Sequence, residues 1–182
     1  VPDGKEAARL DQTLRAELGG PGSHVVLTAE LGPAERYRRW LAVLRGHVRV
    51  VVGTRAAVFA PVRDLGLVMC WDDGDDLHVE PRAPYPHARE VLTLRAHEAQ
   101  AGALIGGYAT TAEGAALVAS GWARPLRADR GTVRRLAPRI AADRGWSPRT
   151  VSAWIVVAGS RTSERRIAEH RTILRAAYPA DG

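Results

Sequence analysis

The stretch VRVVVGTRAAVFAPVRDLGLVMCWDDG, residues 48–74, decides how this chain folds. Val48, Val50, Val51 and Val52 form a β-branched run that stops at Gly53, and a second apolar run, Leu67 to Trp71, stops at a cluster of acids. A strand with one wet face alternates apolar and polar residues; these runs do not, and they match strands buried on both faces. Each run delivers its polar residues at its carboxyl end, where Thr54 and Arg55 follow Gly53 and where Asp72 and Asp73 follow Trp71. In open α/β sheets, binding and chemistry gather at those ends.

Helical patterns flank both runs. Upstream, Asp3 suits the cap of a first helix, with Glu6 placed to reach back. Ala7, Leu10, Leu14 and Leu18 then share a face until Gly19, Gly20 and Pro21 end it. His24 to Thr28 is a short apolar strand, and Pro33 opens a second helix in which Tyr37, Trp40, Leu41 and Leu44 form the inward face before Gly46. Downstream, Pro81, Pro84 and Pro86 hold residues 79–86 as a loop. A third helix then turns Ala88, Val91, Leu92 and Ala99 inward, Ala103 to Gly106 is a strand, and Thr111 caps a fourth helix with Leu117 and Val118 buried and Gly121 at its end. Strands alternating with helices through short connections predict a three-layer α/β domain with a parallel sheet. A first helix with no strand before it predicts that the domain starts upstream of Val1.

The pattern weakens after residue 123. Thr132 to Arg144 is helix-like but interrupted by Pro138, Trp154 to Val157 is a short apolar run, and Ser163 to Ala177 is amphipathic, with Ile167, His170 and Leu174 on one side. Charge divides at the same place. Residues 1–123 hold 12 Arg and one Lys against 15 acids, whereas residues 124–182 hold 13 Arg against five, so the whole excess of the +6 net charge lies in the last third. Such a tail attracts nucleic acid through counterion release, or reflects an Arg-rich coding bias.

No apolar stretch approaches the ~20 residues of a membrane-spanning helix. The single cysteine, Cys70, excludes an internal disulfide and a four-thiolate zinc site, and suits a reducing cytoplasm. It lies in an apolar strand and is expected to be a small buried hydrophobe. The histidines show no metal-ligand spacing, so no metal site is predicted.

The order and spacing of several segments carry a resemblance. Gly53-Thr54-Arg55-Ala56-Ala57-Val58-Phe59-Ala60-Pro61 is followed by Asp64-Leu65-Gly66, the strand from Leu67, and Trp71-Asp72-Asp73-Gly74. Then come His87-Ala88-Arg89-Glu90, Arg95-Ala96 and Gly107-Tyr108-Ala109-Thr110-Thr111, while Val1-Pro2-Asp3 opens the chain. Residues 1–127 thereby resemble the N-terminal helicase lobe of the primosomal protein N′ (PriA-like) family of replication-restart helicases. Its corresponding segments are Gly-Thr-Arg-Ser-Ala-x-Phe-x-Pro, Asn-Leu-Gly, Asp-Glu-Glu-His, His-Ala-Arg-Asp, Gly-Ser-Ala-Thr-Pro and Val-Pro-Glu. The resemblance implies an incomplete RecA-like lobe of superfamily 2 type over residues 1–127, starting after the P-loop, with a basic, partly helical tail over 128–182. It places Thr54 and Arg55 on a nucleic-acid backbone, with Arg63 and Arg89 as further contacts.

The departures from that family bear on chemistry. No G-x-x-x-x-G-K-[ST] occurs in the 182 residues, and the only lysine is Lys5. Trp71 stands where the family's Mg²⁺-holding Asp would be, Asp72 where its Glu would be, and Gly74 replaces its His; an indole offers no oxygen to a hard cation. Tyr108 and Thr111 replace Ser and Pro in the loop Gly107 to Thr111 that couples nucleotide state to the nucleic-acid site. The family's ATP, Mg²⁺ and Zn²⁺ are therefore not expected on this chain, and no catalytic residue is assigned. The expected function is binding of forked or single-stranded DNA at stalled replication forks and primosome assembly with other primosome proteins, without ATPase or helicase activity. The alternatives are an active ATP-dependent 3′-5′ DNA helicase whose P-loop precedes this chain, and a non-functional α/β remnant.

Overall fold

The computed structural model describes residues 1–82, 84–136 and 154–158. Among them the chain is mixed α/β, with five α-helices and six short strands. Helix α1 (Gly4–Glu17) starts where Asp3 Oδ1 accepts the Glu6 N–H at 2.8 Å, satisfying one of the amides that a helix start leaves without a partner. Its stripe buries Ala7 and Leu14, and Gly19 and Gly20, both at positive φ, turn the chain away. Strand β1 (His24–Leu27) follows, then α2 (Pro33–Leu44), which Pro33 opens and Gly46, at φ 78°, ends.

Helix α2 is rotated from the face its sequence predicts. Tyr37 is 65% exposed and Leu44 45%, while Val43 is fully buried. The reason is Arg39. Its Nη1 donates to the Val26 carbonyl at 2.8 Å and its Nε to Glu35, so its long stem, rather than Tyr37, lies toward β1.

Strand β2 (Val50–Gly53) pairs parallel with β1, His24 opposite Val50 through Leu27 opposite Gly53. Strand β3 (Leu67–Trp71) pairs parallel with β4 (Gly102–Gly107), Leu67 opposite Gly102 through Trp71 opposite Gly106. Between β3 and β4 runs α3 (Ala88–Glu98), the helical crossover that a parallel pair requires. It buries Ala88, Arg89 and Ala96, whereas Ala99, expected inside, caps its end at the surface. Helix α4 (Ala112–Ala119) starts at Thr111, whose Oγ1 accepts the Gly114 N–H at 3.0 Å.

The sequence predicts one parallel sheet, and the described residues form two: β1–β2, and a four-stranded sheet ordered β3–β4–β6–β5. Strands β5 (Arg124–Leu126) and β6 (Trp154–Ala158) make the second sheet mixed, because β6 lies antiparallel to both β4 and β5. The apolar run at Trp154 is thus a strand, which its sequence left unassigned. Helix α5 (Arg130–Leu136) covers the start of the helix predicted over Thr132 to Arg144. The rest of that helix and the amphipathic segment Ser163 to Ala177 lie outside the described residues.

Two apolar clusters match the two sheets. Ala7, Leu14 and Val52 join Val1, Leu10 and Val26 under the first. Val68, Cys70, Ala96, Ala103 and Ile105 form the second, with Trp122 packed at its margin. Among the described residues, strands β2 and β3 each have a neighbour on one side only, and a cavity of about 950 Å³ lies between them.

Candidate functional site

The carboxyl end of β2 is held by two backbones in close approach. A Cβ on Gly53 would stand 2.2 Å from the Leu27 carbonyl oxygen and 2.5 Å from Ala57 Cβ, so only glycine fits. Thr54 follows in extended conformation, its N–H on Leu27 O, and its hydroxyl makes no capping bond to the 3₁₀ turn Arg55–Phe59. Arg55 turns toward the loop beyond β3. Its Nη1 donates to Leu77 O at 3.4 Å and Val79 O at 2.5 Å, and its Nη2 pairs with Glu80 Oε2 at 2.6 Å. Arg63, exposed, rests its Nε on Leu44 O at 2.9 Å, a cation at the negative end of α2. Thr54 and Arg55 therefore sit past the carboxyl end of β2, and Arg63 stands by the helix that leads into it. All three border the cavity between the sheets.

Arg89 does not join them. It is 5% exposed, and its Nη1 donates to Asp73 Oδ1 at 2.8 Å, with Glu90 on its Nε at 3.1 Å and Glu113 at 3.8 Å. Burial by itself lowers the Arg89 guanidinium, and the hydrogen bonds and charges of Asp73 and Glu90 together more than offset it, leaving its pKa above the ordinary value.

The acidic loop is knit to the loop after β4. Asp72 takes positive φ, 52°, and lets Asp73 N–H reach Gly106 O at 3.1 Å. Asp73 is 4% exposed, with one carboxylate oxygen on Arg89 and the other receiving the Thr111 hydroxyl at 2.6 Å. Thr111 thus caps α4 and donates to Asp73 at once. Gly107 passes so near that a Cβ there would stand 3.2 Å from Asp72. The Tyr108 ring meets Trp71 edge-on, centroids 5.4 Å apart. Hence the structure brings Trp71, Asp72 and Asp73 together with Gly107, Tyr108 and Thr111, through contacts between protein groups.

A magnesium–nucleotide centre needs carboxylate oxygens free to face the ion. Trp71 supplies none, and both Asp73 oxygens already accept protein donors, so this donor set does not fit such a centre. Among the described residues no cluster of three His, Cys, Asp or Glu could hold a metal ion.

Beneath the acidic loop, His78 is 2% exposed and its Nε2 donates to Trp71 O at 2.8 Å, with Cys70 Sγ 4.0 Å from the same nitrogen. Burial lowers the His78 imidazole below its ordinary value and pushes the Cys70 thiol up to about 12. Such a thiol carries almost no thiolate at neutral pH and is a packing group, as its sequence setting predicts.

Curated proteins match most of this chain. A Mycobacterium leprae (strain TN) protein named "Probable replication restart protein PriA" is 62% identical over 142 residues, 78% of this chain and 22% of that protein. The chain is a homologue of PriA. A protein of the same name from Mycobacterium tuberculosis (strain CDC 1551 / Oshkosh) is 59% identical over the same extents. "Replication restart protein PriA" of Bacillus subtilis (strain 168) is 30% identical over 137 residues, 75% of this chain and 17% of that protein. No family profile matches. The chain spans about a fifth of the length of the mycobacterial PriA proteins, and its match to them, 142 residues, exceeds the 127 that the motifs delimit.

Two arginines on the cavity rim escaped the sequence reading of this PriA homologue. Arg9 and Arg49 are exposed, and their guanidinium groups make no hydrogen bond or ion pair among the described residues. The signals were present. Arg49 interrupts a valine run and so must leave its apolar surface, and Arg9 lies one turn after Lys5 on α1. Among the described residues no helix is long and apolar enough to cross a membrane.

Proposed function

We propose that this chain is part of a PriA-type replication restart protein and acts as a DNA-binding element at stalled forks, where other primosome proteins assemble, without hydrolysing ATP itself. Residues 1–127 form its partial RecA-like helicase lobe, residues 128–182 its basic tail, and its setting is the cytoplasm. The observation that carries this reading is the 59–62% identity to proteins named for replication restart. The acidic loop supports its inert character, because Trp71 and the doubly engaged Asp73 leave little for a cation to grip.

The contacts proceed from the rim of the cavity. Arg55 and Thr54 at one end of β2, and Arg63, Arg49 and Arg9 around the opening, present donors suited to phosphate oxygens. Phosphate contacts fix position and carry no sequence information, so the element recognises strand and fork geometry rather than a base sequence. Four such arginine contacts on single-stranded DNA give a slope of about −3 in the logarithm of affinity against the logarithm of salt.

Fluorescence anisotropy with labelled forked and single-stranded oligonucleotides tests this between about 50 and 200 mM salt, with and without ATP and magnesium. Salt-dependent binding indifferent to ATP is expected, with Arg55→Ala reducing the slope by about 0.7. A slope unchanged in Arg55→Ala rejects the loop, and absence of binding at physiological salt rejects the element. DNA-stimulated ATP hydrolysis by the full-length protein rejects its inert character and favours an active helicase.

A further inference from the structure

Strand β2 hands the chain to the 3₁₀ turn Arg55–Phe59, which ends on a ring in water. Phe59, the one phenylalanine of the chain, is 58% exposed, whereas its neighbours Val58 and Ala60 are buried. One guanidinium fixes both of those neighbours. Arg95 of α3 donates through Nη1 to Val58 O and through Nη2 to Ala60 O at 2.8 Å, and Pro61 restricts the backbone just beyond. With the carbonyls on either side tied to α3 and the side chains on either side turned inward, the Phe59 ring is held outward. Arg95 is half-buried and makes no ion pair among the described residues, so burial lowers its pKa with no carboxylate to offset it. It lends the turn an uncompensated positive charge. Residues 53–63 themselves contain Arg55 and Arg63 and no acid.

We propose that Phe59 is a stacking platform for an unpaired base of a single strand whose phosphates lie on Thr54 and Arg55, and that Arg95 is the residue that positions it. The inference rests on the DNA-binding reading and narrows its ligand from DNA in general to strands with unpaired bases. The cations around the turn draw a polyanion, and among polyanions a single strand also offers flat apolar faces, which a duplex hides in its own stack. Four residues of 3₁₀ backbone advance about 8 Å, or about two phosphate steps of a strand at about 3.4 Å apiece, so a strand anchored at Arg55 brings an adjoining base to the ring. Because the turn is already fixed, stacking there orders little that was free. Every base has such a face, so the platform adds affinity and stays indifferent to base sequence.

Anisotropy tests this on the 182-residue chain with two labelled strands of about 16 nucleotides, oligothymidylate and an abasic strand carrying the same phosphates. Phe59→Ala is expected to weaken oligothymidylate binding by about fivefold or more, to leave abasic-strand binding within about twofold, and to keep the parental salt slope. Phe59→Trp is expected to retain the parental affinity for both strands. Arg95→Lys, which keeps the charge and loses the planar fork, should reproduce the selective loss on oligothymidylate. Oligothymidylate binding untouched in Phe59→Ala, or weakened equally on the abasic strand, overturns the platform. An Arg95→Lys chain that matches the parent, or that loses both strands alike, overturns the positioning role. Those results leave the salt-dependent binding of the parent standing, whereas a parent that binds neither strand overturns the DNA-binding reading and the platform with it.

Discussion

Replacing Arg89 by methionine removes a charge and keeps most of the stem, leaving the Asp73 carboxylate, 4% exposed, with the Thr111 hydroxyl as its remaining side-chain donor. Breaking a buried ion pair by removing one partner costs about 3–5 kcal/mol, because the other charge stays desolvated. The lower end applies here. Thr111 still donates to Asp73, and the other carboxylates near Arg89, Glu90 at 57% and Glu113 at 61% exposed, are screened by water and contribute little. A loss of about 3 kcal/mol in a chain of this size lowers the melting temperature by about 6–12 °C. Circular dichroism melts at neutral pH read it directly. The companion is Asp73→Leu with Arg89→Met, which removes both charges and should recover more than half of the loss, since a buried pair replaced by apolar groups is often neutral. If Arg89→Met melts within about 2 °C of the parent, or the double variant melts below either single one, the ion pair does not bolt these loops together.

Other perturbations probe the same region. Gly53→Ala puts a methyl 2.2 Å from the Leu27 carbonyl oxygen and is expected to destabilise by about 1–3 kcal/mol, read as a lower urea midpoint; an unchanged midpoint would show that β1 and β2 separate freely. Burial holds His78 below its ordinary 6.5, so the unfolded chain takes up its proton first as pH falls; this contribution to stability is intact above pH 6.5 and is lost below it. His78→Gln, which keeps an N–H for Trp71 O, should flatten the fall in melting temperature between about pH 6.5 and 5, and His87, lowered in the same direction, accounts for a residual slope. An undiminished slope in His78→Gln removes His78 from that account. Cys70, with its thiol near 12, should resist iodoacetamide at pH about 8 until urea unfolds the chain, as mass spectrometry would show; fast modification of the native chain contradicts its burial.

Element starts were legible because their causes are local. Asp3, Pro33 and Thr111 act within one turn of themselves, and Gly46 and Gly121 end helices through their own φ. What depends on distant partners was not legible. Arg89 was expected as a nucleic-acid contact and is buried, where Asp73, 16 residues earlier, meets it. Arg55 looks free to hold phosphate and braces a loop more than 20 residues on. The run at Trp154 is apolar in sequence, but nothing local says that it is a strand, that its neighbours are β4 and β5 or that it runs against them. The acidic loop was legible in kind, since Trp71 and Asp72 carry their chemistry in their names. The engagement of both Asp73 oxygens was not, because it requires Thr111, 38 residues on in the loop after β4, to meet it.

The bracing of residues 77–80 by Arg55 stands in opposition to the phosphate contact proposed for the same side chain. Its terminal nitrogens already serve Leu77 O, Val79 O and Glu80, so a phosphate that draws them away releases that segment, and a segment held tightly withholds them from phosphate. Linkage makes the antagonism reciprocal: whatever stiffens residues 77–80 weakens the grip on a polyanion by the same factor by which the polyanion loosens them. A strand of DNA drawn across this edge would be felt as slack in a loop on the neighbouring sheet.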